Sequence, residues 1–257
     1  MLKNRQGRPN RPAGKRRIRR RGGARPIVSF ILIIAAVVLA MSVFFKVSKI
    51  TVKGNSYYTA DQVIQASGIE EGDNLFFVNR FSAVSKIFAK LPYIQKATVS
   101  RELPNRVTIT VTESQTMAYI PLESDMWIID SSCKILDKTD AAGAATLIKI
   151  NGIELYSPTI GELASTTAGD AAKVTYLADI LDQIQSRGMA DKVTYIDMST
   201  ISNPSFDYMG RFTVKLGSDE NTEYKFGLLE SAVKELEDGD YGTIDLSIDK
   251  QAHFSPN

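Results

Sequence analysis

The sequence predicts an α+β protein carried on one apolar helix. In order it reads as a disordered basic tail, one transmembrane helix, a β-α-α-β-β domain, and a second α+β domain with a mainly antiparallel sheet. Three observations carry this reading. Residues 26–45 contain no charged side chain. Residues 47–113 run strand, helix, helix, strand, strand, with the apolar period switching between two and three-to-four. Residues 114–257 hold short alternating segments around two amphipathic helices. The domain limits that follow are 1–25, 26–45, 46–113 and 114–257.

An uncharged helix over 26–45 rises about 30 Å, the hydrocarbon thickness of a bilayer. Its hydroxyls, Ser29 and Ser42, can bond back to helix carbonyls, which suits an anchor rather than a transport path. The tail 1–25 holds eleven basic and no acidic residues, leaving 20 basic against 29 acidic beyond it. By the positive-inside rule the tail faces the cytoplasm and the remaining chain lies outside. A cleaved signal peptide, with 27–39 as its apolar part and Ala40-Met41-Ser42 as its small-residue site, is the rival reading. The apolar residues Val43, Phe44 and Phe45 and the long basic region argue against it. The tail is rich in Arg, Pro and Gly and cannot build a core. Its charge suits anionic headgroups; without aromatic residues to stack on bases, it does not suggest nucleic-acid binding.

Beyond the span, Val47, Ile50 and Val52 sit near the strand period, and Gly54-Asn55 ends the strand. Thr59 and Gln62 form a capping box for a short helix that Gly68 closes. Phe81, Val84, Ile87, Phe88 and Leu91 recur at helical spacing, so Arg80–Lys90 reads as an amphipathic helix stopped by Pro92, its aromatic stripe turned into the core. Segments 94–102 and 106–113 form a hairpin about Leu103-Pro104-Asn105, and the two helices cover one face of the resulting three-stranded sheet.

From Ser114 onward, 117–121 and 125–130 read as strands, with Trp127 packing, followed by a turn and return strand over 130–136. A strand follows at 147–150. Residues 170–187 form a helix with Val174, Leu177, Ala178, Leu181 and Ile184 in one stripe and Gly188 as its cap. Residues 193–196, 212–216 and 222–226 read as strands, the last two joined by a polar turn over 217–221. A helix over 226–237 and strands over 243–248 and 252–255 close the chain.

The run Val47-Ser48-Lys49-Ile50-Thr51-Val52-Lys53-Gly54-Asn55 is followed by Tyr58-Thr59, Gly68-Ile69, Gly72-Asp73-Asn74-Leu75-Phe76, Leu91-Pro92-Tyr93-Ile94, Arg101-Glu102-Leu103-Pro104-Asn105 and Val111-Thr112-Glu113. In this order, directly after a basic tail and a span, these segments resemble the FtsQ/DivIB cell-division family. The ending Gly242-Thr243-Ile244-Asp245-Leu246-Ser247, then Ala252-His253-Phe254, is similar to the family's C-terminal pattern. The sequence departs from the family where Ser114-Gln115-Thr116 follows Glu113 and where Cys133 stands in place of a turn glycine. The resemblance implies a POTRA (polypeptide-transport-associated) domain over 46–113 and a non-enzymatic role in divisome assembly at the septum. It implies as partners FtsL-like and FtsB/DivIC-like single-span proteins, and septal cell-wall synthesis proteins. It also places the partner site in the C-terminal part of the second domain.

Catalytic constellations are weak. His253, the one histidine, lies on a terminal strand, and Cys133 has no histidine near it in sequence. Cys133 therefore reads as a surface or half-buried thiol, and a single cysteine leaves the outer part without an internal disulfide. The acidic run 235–240 lacks the spacing of a calcium loop. No cofactor, metal or small-molecule substrate is expected. The alternative is a membrane-anchored cell-wall hydrolase or transferase, whose carboxylate pair one sequence cannot reveal. The physical route for the favoured reading is strand addition to an unpaired sheet edge. Its candidate residues are Thr243, Ile244, Leu246, Ile248, Ala252, His253 and Phe254.

Overall fold

A computed structural model describes residues 25–167, 170–248 and 250–257. The tail falls outside the described residues except for Arg25, which opens helix α1 (Arg25–Phe44). Its apolar span is Pro26–Phe44. It is long and apolar enough to cross a membrane. The chain divides into two compact units, Met1–Phe45 and Lys46–Asn257.

The second unit begins with β1 (Lys49–Lys53), α2 (Ala60–Ser67), α3 (Arg80–Lys90), β2 (Ile94–Glu102) and β3 (Arg106–Glu113). The sheet order is β1-β3-β2. β1 lies parallel to β3, and β2 and β3 form an antiparallel hairpin. The capping box is present: Thr59 Oγ1 accepts the Gln62 N–H at 3.2 Å, Gln62 Oε1 accepts the Thr59 N–H at 2.9 Å, and Gly68 closes α2 at φ 67°. Val63, Ala66, Leu75, Ile87, Val107 and Ile109 pack between helices and sheet.

The aromatic stripe departs from expectation. Ala83, Ile87 and Leu91 form the inward face of α3, whereas Phe81 is 82 % exposed. The 81-84-88 row is a real helical stripe, but the neighbouring row through the small Ala83 is the one that seats against the sheet.

Glu113 ends β3 and fixes the loop after β1. Its carboxylate accepts the N–H groups of Ser56 (2.8 Å), Tyr57 (2.6 Å) and Tyr58 (3.0 Å). Glu113→Ala leaves three aligned donors without their anion, so it is expected to cost about 2 kcal/mol in chemical denaturation of the chain in detergent. Glu113→Gln should cost roughly half as much. A loss indistinguishable from zero would mean that water replaces the carboxylate.

The remaining strands are β4 (Ala118–Leu122), β5 (Asp125–Ile129), β6 (Ile135–Thr139), β7 (Ile148–Asn151), β8 (Tyr195–Asp197), β9 (Ser205–Tyr208), β10 (Phe212–Lys215), β11 (Gly242–Asp245) and β12 (His253–Pro256). They form one sheet in the order β12-β11-β10-β9-β8-β7-β4-β5-β6, mostly antiparallel. The parallel pairs are β4–β7, β7–β8 and β10–β11. Helices α4 (Ala171–Ser186) and α5 (Thr222–Glu235) pack on the core of this sheet. Phe206 of β9 stacks on Phe226 of α5, with ring centroids 5.6 Å apart. Arg187 ties the helices together through Glu230 at 2.6 Å.

Two sequence expectations are corrected here. Residues 222–226 are the first turns of α5, not a strand, because Thr222, Lys225 and Phe226 turn into the body at helical spacing. The antiparallel partner of β10 is β9 (residues 205–208), a strand absent from the sequence expectation.

Cys133 is also corrected, for it is fully buried. Its φ of 61° is the left-handed conformation for which glycine is the ordinary residue. Its Sγ points back toward the Val174 carbonyl at 3.7 Å. Burial, with Asp130 and Asp179 nearby, pushes the thiol well above its usual range. The folded chain is therefore expected to resist a thiol-specific disulfide reagent and to react at Cys133 only after denaturation. Fast labelling of the native chain would contradict this burial.

The joint between the two sheets is aromatic. Tyr93 stacks on Tyr57 at 4.1 Å and packs with Ile128 and Leu136, while Tyr58 and Leu147 close the cluster. Lys134 Nζ donates to the Ile94 carbonyl at 2.9 Å, and the Ser114 N–H donates to the Tyr93 carbonyl at 2.7 Å.

Candidate interaction surface

The C-terminal end of the large sheet is built on Phe212. Its ring meets Phe254 of β12 edge-on, with centroids 6.1 Å apart, and the Arg211 guanidinium lies 4.7 Å from its centroid. Arg211 also donates to the carbonyls of Asp240 (3.0 Å) and Glu237, which pins the loop between α5 and β11. β11 runs parallel to β10, and β12 returns antiparallel along it: Asp245 faces His253, Ile244 faces Phe254, Thr243 faces Ser255 and Gly242 faces Pro256. Gly242 is needed for this approach. A Cβ there would stand 2.2 Å from the Ser255 carbonyl oxygen and 2.9 Å from the Pro256 Cα.

The candidate residues separate by position. Thr243 and Ile244 lie in β11, between β10 and β12. Ile244 and Leu246 are buried in the core, so a partner could not touch their side chains without opening the sheet. Ile248 is exposed and follows β11, and Ala252 is exposed just before β12. His253 and Phe254 lie on β12, the terminal strand of the sheet, with no strand paired beyond it among the described residues.

Bonding parity shows which backbone groups point outward. Gly242 and Leu246 donate their N–H groups toward β10, to the carbonyls of Arg211 and Lys215. Thr243 and Asp245 therefore bond toward β12, to Ser255 and His253 across the register. The Asn257 N–H donates to the Tyr241 carbonyl at 3.1 Å, which fits the same alternation. The N–H and C=O of Phe254 consequently face away from the sheet. So does the C=O of Pro256, a residue with no N–H to offer. Pro256 belongs to this edge although the sequence reading ended the strand before it; only the alternation through residue 256 could have signalled it.

Charge at the base of the edge is locally neutralised. Burial pushes Asp245 up, but the Ser247 hydroxyl and N–H (the latter at 2.8 Å), with Lys215 and His253 nearby, outweigh it and hold the carboxyl below its usual range.

Elsewhere the surface carries open hollows. One of 450 Å³ beside α2 holds Asp61, Glu70 and Glu71, all exposed. One of 810 Å³ at the joint holds Tyr57, Tyr93 and a Glu113 carboxylate already taken by three N–H groups. Among the described residues no three His, Cys, Asp or Glu side chains gather as a metal site.

Comparison with known proteins agrees with this architecture. Residues 45–114 match the family described as POTRA domain, FtsQ-type. The chain is 26 % identical over 232 residues to the cell division protein DivIB of Clostridium botulinum strain Hall, covering 89 % of each chain. It is 30 % identical over 161 residues to the DivIB of Clostridium acetobutylicum, covering 62 % of this chain and 61 % of that one. It is also 33 % identical over 112 residues to the cell division protein FtsQ of Corynebacterium glutamicum, covering 42 % and 50 %.

Proposed function

Because the chain belongs to the FtsQ/DivIB family of cell-division proteins, we propose that it is a non-enzymatic assembly protein of the bacterial divisome. It is a single-pass protein of the cytoplasmic membrane, with residues 1–25 inside and residues 46–113 and 114–257 as two outer domains at the septum. The eleven basic residues of the tail support that orientation. The outer domains hold FtsL-like and FtsB/DivIC-like single-span proteins, and through them the septal cell-wall synthesis proteins.

The observation that carries this reading is β12. It is a four-residue terminal strand whose outward N–H and C=O groups lack a partner strand among the described residues, and whose side chains are mostly exposed. An added strand would find its hydrogen bonds there and its side-chain contact on Phe254. The test is fluorescence of the tagged full chain in growing cells. A mid-cell band that is lost on deleting residues 252–257 is the expected result. Uniform peripheral labelling of the intact chain would overturn the division role. Deleting residues 243–257 is a poorer test, because it also strips Ile244 and Leu246 from the core.

A further inference from the structure

Residues 72–79, with the first turn of α3, are anchored from inside and carry exposed rings outside. Leu75 is fully buried and Val78 is 6 % exposed, whereas Phe77 and Phe81 are 85 % and 82 % exposed and Phe76 is 40 %. The turn is held in place by its own hydrogen bonds. Asn74 Oδ1 accepts the Phe76 N–H at 3.0 Å, and the Asn74 carbonyl accepts the N–H groups of Phe77 (2.9 Å) and Val78 (3.1 Å). Asn79 then caps α3 through the Ser82 N–H at 3.1 Å. Scattered exposed apolar residues are ordinary, but three phenylalanines within six residues on a fixed turn form a patch.

The position of the turn says what covers it. Lys46 follows the apolar run directly and leaves the bilayer with it. Lys46 pairs with Asn74, the Val47 N–H donates to the Asp73 carbonyl at 2.8 Å, and the Gly72 N–H donates to the Val47 carbonyl at 2.8 Å. The turn bearing the three rings is thus hydrogen-bonded to the first residues outside the span. Lipid is always present at that point, and aromatic side chains suit the boundary between headgroups and acyl chains.

We propose that Phe76, Phe77 and Phe81 form a membrane-docking wedge that seats the first outer domain in the interfacial layer of the leaflet from which Lys46 emerges. The inference rests on the membrane reading of α1 and on none of the division contacts. The cations Lys46, Arg80, Lys86 and Arg101 and the carboxylates Glu70, Glu71 and Asp73, all exposed, leave the region close to neutral. The rings carry the interaction, and anionic lipid is not required.

The test uses the full chain in phosphatidylcholine vesicles with brominated acyl chains, in a Trp127→Phe background that removes the one native tryptophan. Phe77→Trp reports the wedge, Phe30→Trp the span, and Tyr224→Trp, on α5 and 49 % exposed, an aqueous surface. The wedge predicts blue-shifted emission at position 77 and several-fold stronger quenching there than at 224. Quenching at 30 with position 77 behaving like 224 would overturn the wedge and leave the span intact. A blue shift at 77 without bromine quenching would overturn it in favour of a protein cover. Loss of quenching at both 30 and 77 would overturn the membrane reading itself.

Discussion

Phe254→Pro is expected to weaken partner capture by the full chain about tenfold to a hundredfold, while Phe254→Leu keeps it. Phe254 supplies the outward N–H of β12, since His253 and Ser255 bond inward to β11 and Pro256 has no N–H. Proline at 254 removes that donor and places a ring where the partner strand would lie. The edge already tolerates proline at the same parity, at Pro256, so the sheet itself should survive. Losing one backbone bond of the added strand, with the attendant steric cost, corresponds to roughly tenfold to a hundredfold weaker binding. Phe254→Ala separates the other contribution. It keeps the N–H but loses the ring packed on Phe212, and should weaken capture less than proline does. The measurement is co-purification of FtsL-like and FtsB/DivIC-like proteins, with circular dichroism confirming the fold of each variant. Equal capture by the proline and leucine variants would rule out strand addition at this edge.

What could be read in advance follows the range of the interactions involved. The capping box of Thr59 and Gln62 and the left-handed Gly68 are settled within ten residues of chain, and they stand as read. The start of α5 lacks such a signal: Asn221 sits at φ 58° and makes no side-chain cap, so the alternation in Thr222-Glu223-Tyr224-Lys225-Phe226 mimics a strand. β9 is four residues long, and it exists because β10 and β8 flank it. The candidate edge was half legible. Alternation marks both 243–248 and 252–255, but nothing local says that β12 lies outside β11 or that β7 enters the sheet beside β4. The phenylalanines of α3 show the same limit. Helical spacing defines a stripe, but whether the row of Phe81 or that of Ala83 faces the sheet depends on how closely the helix must approach it.

The largest loss of stability is expected at Asp130, where sequence reading saw only a turn. Its buried carboxylate accepts four hydrogen bonds: from the Ser114 hydroxyl (2.7 Å), the Ser132 N–H (2.9 Å), the Ser132 hydroxyl (2.7 Å) and the Lys134 N–H (3.0 Å). Three of these shape the β5–β6 turn that holds Cys133 in its left-handed conformation. The Ser114 bond fastens the linker after β3, whose own N–H is committed to Tyr93. Asp130 therefore joins turn and linker through one anion. Asp130→Ala would leave the buried Ser114 hydroxyl and the part-buried turn donors without their acceptor, at an expected cost of about 3 kcal/mol. Asp130→Asn, which can accept at only one oxygen, should cost about half that. Ser114→Ala deletes a single bond and should cost about 1 kcal/mol. Because Ser114 and Asp130 share that bond, the double variant should be less destabilised than the two losses added together. Denaturation of the four proteins closes the cycle. A loss under about 1 kcal/mol for Asp130→Ala would mean that the turn holds its shape through backbone and packing alone.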